Sequence, residues 1–73
     1  MIIYRTNERK LPGRQNYSWN EYRLEDDRVV RYKCYRKKNF DGHESEWVRG
    51  DRADISWEIG DPNMPDWLKK YLP

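Results

Sequence analysis

Cys34 and His43 are the only cysteine and the only histidine in this chain of 73 residues. One cysteine cannot form an internal disulfide, and this pair cannot supply the ligands of a structural zinc site. The adjacent carboxylates Asp26 and Asp27 could act on a metal or a proton, but a tight hairpin loop favours their use as turn residues. The sequence has no nucleophile elbow and no phosphate-binding glycine loop. We therefore expect a protein that is not an enzyme and needs no cofactor and no metal.

A basic stretch interleaved with aromatic rings is the feature that most favours a binding function. Residues 28–38 carry six Lys or Arg side chains around Tyr32 and Tyr35. Such a pattern on a β-surface is typical of proteins that bind single-stranded nucleic acid. The alternative is that neighbouring strands neutralise the middle of the stripe, at roughly 0.2–1 kcal/mol per pair. Arg31 and Lys33 would then face acidic residues of the hairpin mate (Glu21 and Glu25) or of a third strand (Asp54 and Glu58).

Seven cations remain without an obvious partner after this neutralisation, and we predict that they bind an acidic partner surface. They are Arg5, Arg9, Lys10, Arg14, Arg36, Lys37 and Lys38.

The composition limits the size of the core. A chain of 73 residues forms at most one domain, here residues 1–73, and buries only about 60% of its unfolded surface. Four Trp, six Tyr and one Phe must supply most of the buried area. No apolar run is long enough for a signal peptide or a membrane span. We expect a cytoplasmic, monomeric protein that does not contact a membrane.

Apolar and polar residues alternate on both sides of the acidic turn, which predicts a β-hairpin. A two-residue turn would pair Tyr22 with Arg31 and place a cation among the core rings. A three-residue turn would pair Tyr22 with Tyr32 and Leu24 with Val30, and we favour this register. Tyr17 and Trp19 are out of phase with Tyr22 and Leu24. A bulge near residues 20–21 or a position on the other face would explain them.

We predict an α+β fold with a small antiparallel sheet of three to four strands (17–60). One short C-terminal helix (63–72), capped by Asn63, packs on the sheet, and residues 1–16 form a flexible basic N-terminal arm or loop, in which residues 2–4 could be a short edge strand. A turn is predicted at residues 39–42. Residues 46–49 form a short strand that ends at Gly50-Asp51, before a strand at 53–59. The predicted core contains Tyr22, Leu24, Val30, Tyr32, Ile55, Trp57, Ile59, Trp67 and Leu68, with Cys34 as a small buried residue.

In length and style the chain resembles small bacteriophage-encoded regulators of host bacterial RNA polymerase. The resemblance rests on the basic arm, the strands rich in Tyr and Trp, and the closing segment Pro65-Asp66-Trp67-Leu68-Lys69-Lys70-Tyr71-Leu72. It implies binding near the amino terminus of the largest (β′) subunit, inhibition of promoter-dependent initiation through weakened σ-factor contact, and antitermination. No site residue is carried over from that family.

Two other functions remain open from the residues alone. One is a small β-domain that binds single-stranded nucleic acid, with Tyr35 or Trp19 stacking on bases. The other is an inhibitor of a host defence enzyme. Binding to an oligonucleotide in the absence of any protein separates the nucleic-acid reading from the polymerase reading.

Overall fold

The computed structural model describes residues 1–12, 16–37 and 47–73, except for the side chain of Trp47. The predictions for Arg14, Lys38, His43 and the turn at 39–42 lie outside the described residues. Five strands and one helix are present in the described ranges, with these bounds: β1 Ile2–Arg5, β2 Arg9–Lys10, β3 Asn16–Glu25, β4 Arg28–Lys37, β5 Trp47–Glu58 and α1 Asp66–Lys69.

The strands form one antiparallel sheet in the order β1-β3-β4-β5, and β2 also pairs with β3. The predicted α+β class is confirmed, but the prediction of three to four strands is too low. The difference arises because β1 and β2 both pair with the outer edge of β3. The helix in the described part of the chain is too short to cross a membrane.

Residues 5–12 follow the edge of β3, where the sequence predicted an arm or a long loop. Arg9 pairs with Ser18 and Lys10 with Tyr17. The backbone amide of Thr6 donates to the carbonyl oxygen of Asn20 at 2.9 Å. The prediction overlooked backbone hydrogen bonding. An open strand edge exposes polar groups that a neighbouring segment can satisfy even when it has few apolar side chains.

The hairpin adopts the register that the sequence analysis disfavoured. A two-residue turn at Asp26-Asp27 pairs Tyr22 with Arg31 and Leu24 with Val29. Asp26 has a positive φ of 53°, which a short polar residue tolerates in a tight turn. The register is stable because Arg31 is not left unpaired beside the rings. Its guanidinium donates two hydrogen bonds to Asp54 of β5, at 2.9 and 2.7 Å.

The two faces of the sheet follow from this register, because directly opposed residues share a face and successive residues alternate. We call the face that carries Tyr22 and Val29 the helix face, since α1 packs on it, and the face that carries Trp19 and Cys34 the open face. The β3–β4 pairing runs from Asn16↔Lys37 to Glu25↔Arg28 without a shift. Tyr17 and Trp19 therefore lie on the other face from Tyr22, with no bulge between them.

Strand β5 is one continuous strand in which Gly50-Asp51 is a bulge, not the predicted end. Its pairing with β4 shifts twice, between the partners of Lys33 and Tyr35 and between those of Arg31 and Tyr32. The second shift pairs Ala53 with Tyr32 and Ile55 with Arg31, so Ala53 and Ile55 lie on opposite faces. Strict alternation along the predicted strand 53–59 would place these two residues on one face, but an extra residue in a bulge reverses the alternation.

Helix α1 is shorter than predicted and begins after Pro65. Pro65 occupies the N-cap position without a side-chain cap, while Asp66 lies in the first turn and Lys69 in the last. Asn63, the predicted cap, donates its backbone N–H to Asp61 Oδ1 at 2.8 Å. Residues 61–64 are thus used by a turn, which leaves a single helical turn for docking.

The core lies between this helix and one half of the helix face. Tyr22, Val29, Met64 and Leu68 form its buried centre, and Ile3, Tyr4, Leu24, Trp57 and Leu72 pack around them. Of the predicted core, Tyr22, Val30 and Leu68 are buried, as is Cys34. Ile55 and Ile59 remain 39% and 52% exposed, so their assignment to the core is wrong. Trp67 is 42% exposed, but one edge of its ring packs against Tyr22 and Tyr4 at the border of the core. A four-residue helix spans about 6 Å, whereas β4 spans about 33 Å, so α1 covers only part of the helix face.

Candidate binding surfaces

The open face carries a second, smaller cluster in which charged groups cover a buried tryptophan. Trp19 Nε1 donates to Glu21 Oε2 at 2.8 Å, and Arg23 Nη2 donates to Glu21 Oε1 at 2.8 Å. The Arg23 guanidinium also stacks 4.0 Å from the centroid of the Tyr32 ring. Burial alone would raise the pKa of Glu21, but the hydrogen bonds from Trp19 and Arg23 outweigh it and the pKa is lowered. The charges of Glu21 and Arg23 are therefore used inside the protein, where they hold Trp19 and Tyr32 in place.

Cys34 is enclosed in the same cluster. Burial and the charge of Glu21 raise the pKa of its thiol, which favours the protonated, unreactive form. A Cβ atom at Gly50 would lie 2.9 Å from Arg23 Nη2 and 3.1 Å from Cys34 Sγ. The β5 backbone therefore approaches this cluster closely, and a side chain at position 50 would require Arg23 and Cys34 to shift.

Two of the seven predicted binding cations, Arg5 and Arg36, have internal partners. Both guanidinium groups donate to Glu8, Arg5 at 3.1 Å. Arg5 also lies over the Trp19 ring, and Arg36 lies over the Tyr17 ring at 5.4 Å. The expectation that these cations lack partners is wrong. Glu8 is distant from Arg36 in the sequence, and only the pairing of β2 with β3 and of β3 with β4 brings the two residues together.

The other three described cations of that set are exposed. Arg9, Lys10 and Lys37 form no ion pair or hydrogen bond through their side chains within the described residues. They lie at the same end of the sheet, opposite Ser18, Tyr17 and Asn16 of β3 respectively. Lys10 faces the open face, whereas Arg9 and Lys37 face the helix face, so the set surrounds an end of the sheet and does not form one flat patch. Their binding role stays a prediction.

The predicted cross-strand neutralisation of Arg31 and Lys33 is present, and Asp54 of β5 is the acidic partner of both. Asp54 lies 4.0 Å from Lys33 Nζ as well as accepting from Arg31. Hydrogen bonding from Arg31 lowers the pKa of Asp54, although burial opposes the shift, and the same bond raises the pKa of Arg31. Glu21 and Glu25, expected to share a face with Arg31, lie on the open face in the observed register.

The half of the helix face that α1 does not reach is basic. Its rows run from Arg9 through Ser18 and Tyr35 to Arg49, and from Asn20 through Lys33 to Arg52. We call this surface the Tyr35 platform and define it by Arg9, Lys33, Tyr35, Lys37, Arg49 and Arg52.

Sequence reasoning missed Arg49 and Arg52 as members of one surface. They are three residues apart, so simple alternation would place them on opposite faces. The bulge at Gly50-Asp51 inserts one residue and returns both to the helix face. The glycine between two arginines was the only signal in the sequence, since a glycine inside a strand often marks a bulge.

A groove of about 510 Å³ opens between the segment from Thr6 to Leu11 and this platform. Arg9, Lys33 and Tyr35 line it together with polar residues of β3, and no Asp or Glu contributes to the lining. At the hairpin-turn end of the sheet, a second depression of about 460 Å³ is lined by four carboxylates and Arg28. The two ends of the sheet thus carry opposite charge.

No group of three or more His, Cys, Asp or Glu side chains in the described ranges is placed to hold a metal ion. Comparisons with protein-family models, with curated proteins and with solved structures find no significant match.

Proposed function

We propose that this protein is a non-catalytic bacteriophage regulator that binds host bacterial RNA polymerase in the cytoplasm of the infected cell. The proposed contact is near the amino terminus of the β′ subunit. Binding there would weaken σ-factor contact, inhibit promoter-dependent initiation and promote antitermination. The resemblance of the chain to small phage regulators supports the identity of the partner, and the charge distribution supports binding to an acidic protein surface.

The observation that carries the proposal is the exposed basic end of the sheet. Arg9, Lys10 and Lys37 surround it and have no ionic partner in the described part of the chain. Cations that the fold does not use remain available to attract an acidic partner. Such attraction mainly raises the association rate, and salt weakens it because screening acts over about 8–10 Å at physiological ionic strength.

The test is surface plasmon resonance on purified bacterial RNA polymerase, at low and at physiological salt. We compare the wild type with the double variant Arg9→Glu/Lys10→Glu. Lys69→Glu/Lys70→Glu is the control, since it changes the net charge equally at the helix. The Arg9/Lys10 variant should associate roughly tenfold more slowly at low salt, with a smaller difference at high salt. It should also relieve inhibition of promoter-dependent transcription in vitro.

Equal association rates for the wild type and the Arg9/Lys10 variant would contradict the proposed contact surface. An equal loss in the Lys69/Lys70 control would show that net charge alone matters, and would contradict it as well. Absence of polymerase binding by the wild type would overturn the proposed function itself.

A further inference from the structure

Tyr35 differs from every other tyrosine because its ring has no partner among the residues that the structure describes. All six tyrosines lie in the described ranges. Tyr4, Tyr22 and Tyr71 belong to the ring cluster under and around α1. The rings of Tyr17 and Tyr32 lie under arginine guanidinium groups. Tyr35 makes no ring contact, side-chain hydrogen bond or cation–π contact with any described residue, and it is half-buried in the surface of the sheet.

Cations surround this ring on the same face. Lys33 and Lys37 lie two residues away on either side along β4, about 6.8 Å each. Arg49 lies directly opposite on β5, and Arg52 lies opposite Lys33. The carboxylate of Asp54 accepts two hydrogen bonds from Arg31 and lies 4.0 Å from Lys33 Nζ, and the Lys33 side chain remains 48% exposed beside it. The platform therefore offers an aromatic ring among the exposed cations Lys33, Lys37 and Arg52.

The groove supplies the depth that a flat sheet lacks. Its wall from Thr6 to Leu11 stands beside the ring, and its lining contains Arg9 and Lys33 but no acidic residue. The polar side chains of Ser18 and Asn20 also line it and can donate hydrogen bonds.

We propose that the Tyr35 platform binds single-stranded nucleic acid, with a base stacked on the Tyr35 ring and the adjoining phosphates on the flanking cations. Each nucleotide supplies both a π-face and a negative charge, which are the two groups that this surface can bind. An acidic protein segment would satisfy the cations but leave the ring without a matching group. Binding of this kind tolerates any sequence, because every base can stack.

This inference does not rest on the polymerase proposal. Arg9 and Lys37 belong to both surfaces, so its test uses other residues. The probe is a fluorescein-labelled strand of twelve thymidines, and the measurement is fluorescence anisotropy with the purified wild-type protein at several salt concentrations. We expect saturable binding that weakens as salt rises.

Two substitutions at the ring separate stacking from charge. Tyr35→Ala should weaken binding by about 5- to 150-fold, the range expected for the loss of one stacked base. Tyr35→Phe keeps the ring and should bind like the wild type. Thermal denaturation of both variants checks that the fold is unchanged.

Charge substitutions then test the phosphate contacts. Lys33→Gln/Arg52→Gln should weaken binding and reduce the slope of log affinity against log salt by about 0.7 for each cation removed. The matched control Lys69→Gln/Lys70→Gln loses the same charge at α1 and should bind like the wild type.

Three results would overturn the inference. The first is no saturable binding by the wild type, and the second is equal affinity for the wild type and Tyr35→Ala. The third is unchanged oligonucleotide binding by Lys33→Gln/Arg52→Gln together with lost binding to RNA polymerase, which would make the platform a protein-docking surface. Failure of the Arg9→Glu/Lys10→Glu test with intact Tyr35-dependent oligonucleotide binding would overturn the polymerase contact and leave this inference standing.

Discussion

Glu8, Glu21 and Asp54 each accept hydrogen bonds from arginine side chains. Together they occupy four of the described arginines and so decide which cations remain at the surface. In each case an aromatic ring or a second cation lies alongside, as with Arg23 over Tyr32 and Lys33 near Asp54. Each of these partly exposed pairs contributes little to the stability of the fold. The pairs do neutralise arginines that, from the sequence alone, would be expected to bind a partner.

The Arg31–Asp54 pair gives the stability of the protein a defined pH dependence. Hydrogen bonding from Arg31 holds the pKa of Asp54 below its ordinary value of 3.8. A carboxylate with a lowered folded-state pKa stabilises the fold above its unfolded-state pKa, and this stabilisation is lost as the pH falls through the folded-state value. At pH 7 the wild type should therefore unfold at a higher urea concentration than Asp54→Asn. The difference between the two unfolding midpoints should shrink below pH 4.

Chemical denaturation of the two proteins at several pH values measures this difference. Asp51→Asn is a suitable control, since it removes an exposed carboxylate in the same strand. A difference between the wild type and Asp54→Asn that stays constant down to acid pH would mean that the ionised pair does not contribute.

At the scale of elements, α1 and β5 differ in how they stabilise the fold. Strand β5 is long but largely exposed, and it is attached mainly through backbone pairing and the Asp54 pair. Helix α1 has only four residues, but it inserts the fully buried Leu68 against Val29 and Tyr22. The small core therefore depends on this short helix as well as on the partly buried Trp57 of β5.

Leu68→Ala should destabilise the protein by about 2–5 kcal/mol, because it removes a fully buried side chain and leaves a cavity. That loss is comparable with the whole stability of a domain of this size. Urea denaturation followed by tryptophan fluorescence measures it. Lys70→Ala, an exposed neighbour at the end of the helix, should change stability by less than about 0.5 kcal/mol. Similar small effects for both variants would show that α1 does not anchor the core.

At the scale of the whole molecule, the sheet is divided into an apolar half under α1 and a basic half around Tyr35. The hairpin-turn end adds a set of carboxylates, so charge changes sign along the long direction of the strands. A charge distribution of this kind orients the protein as it approaches a polyanionic or acidic partner, and it presents the basic end first. Both proposed binding functions use that end.

The outer edge of β5, which pairs with no described strand, bears on the oligomeric state. A long exposed edge normally invites pairing with a second copy, but bulges and charged side chains discourage it. The edge of β5 has two register shifts and carries Arg49, Asp51 and Arg52. We therefore predict a monomer, and sedimentation velocity at concentrations up to about 100 μM tests it. A dimer that persists on dilution would show that the bulges do not protect this edge.

Much of the secondary structure could be predicted from the sequence. The hairpin, the edge strand at residues 2–4, the buried Cys34 and the docked C-terminal segment follow from local alternation, turn residues and the apolar spacing of the last ten residues. The helix was predicted too long because the Asp61 turn competes for its first residues. Of the candidate site, the exposed cations Arg9, Lys10 and Lys37 were identified, whereas the pairing of Arg5 and Arg36 with Glu8 was not.

By itself the sequence determines that this protein builds paired strands rich in aromatic residues, with more cations near its amino terminus than the hairpin can neutralise. Only the tertiary structure decides which face each side chain occupies. The physical reason is that strands alternate with a period of two, so one residue more in a turn or bulge moves a side chain to the other face. Asp54, distant in sequence, makes the Tyr22–Arg31 register possible, and the Gly50-Asp51 bulge brings Arg49 and Arg52 together beside Tyr35.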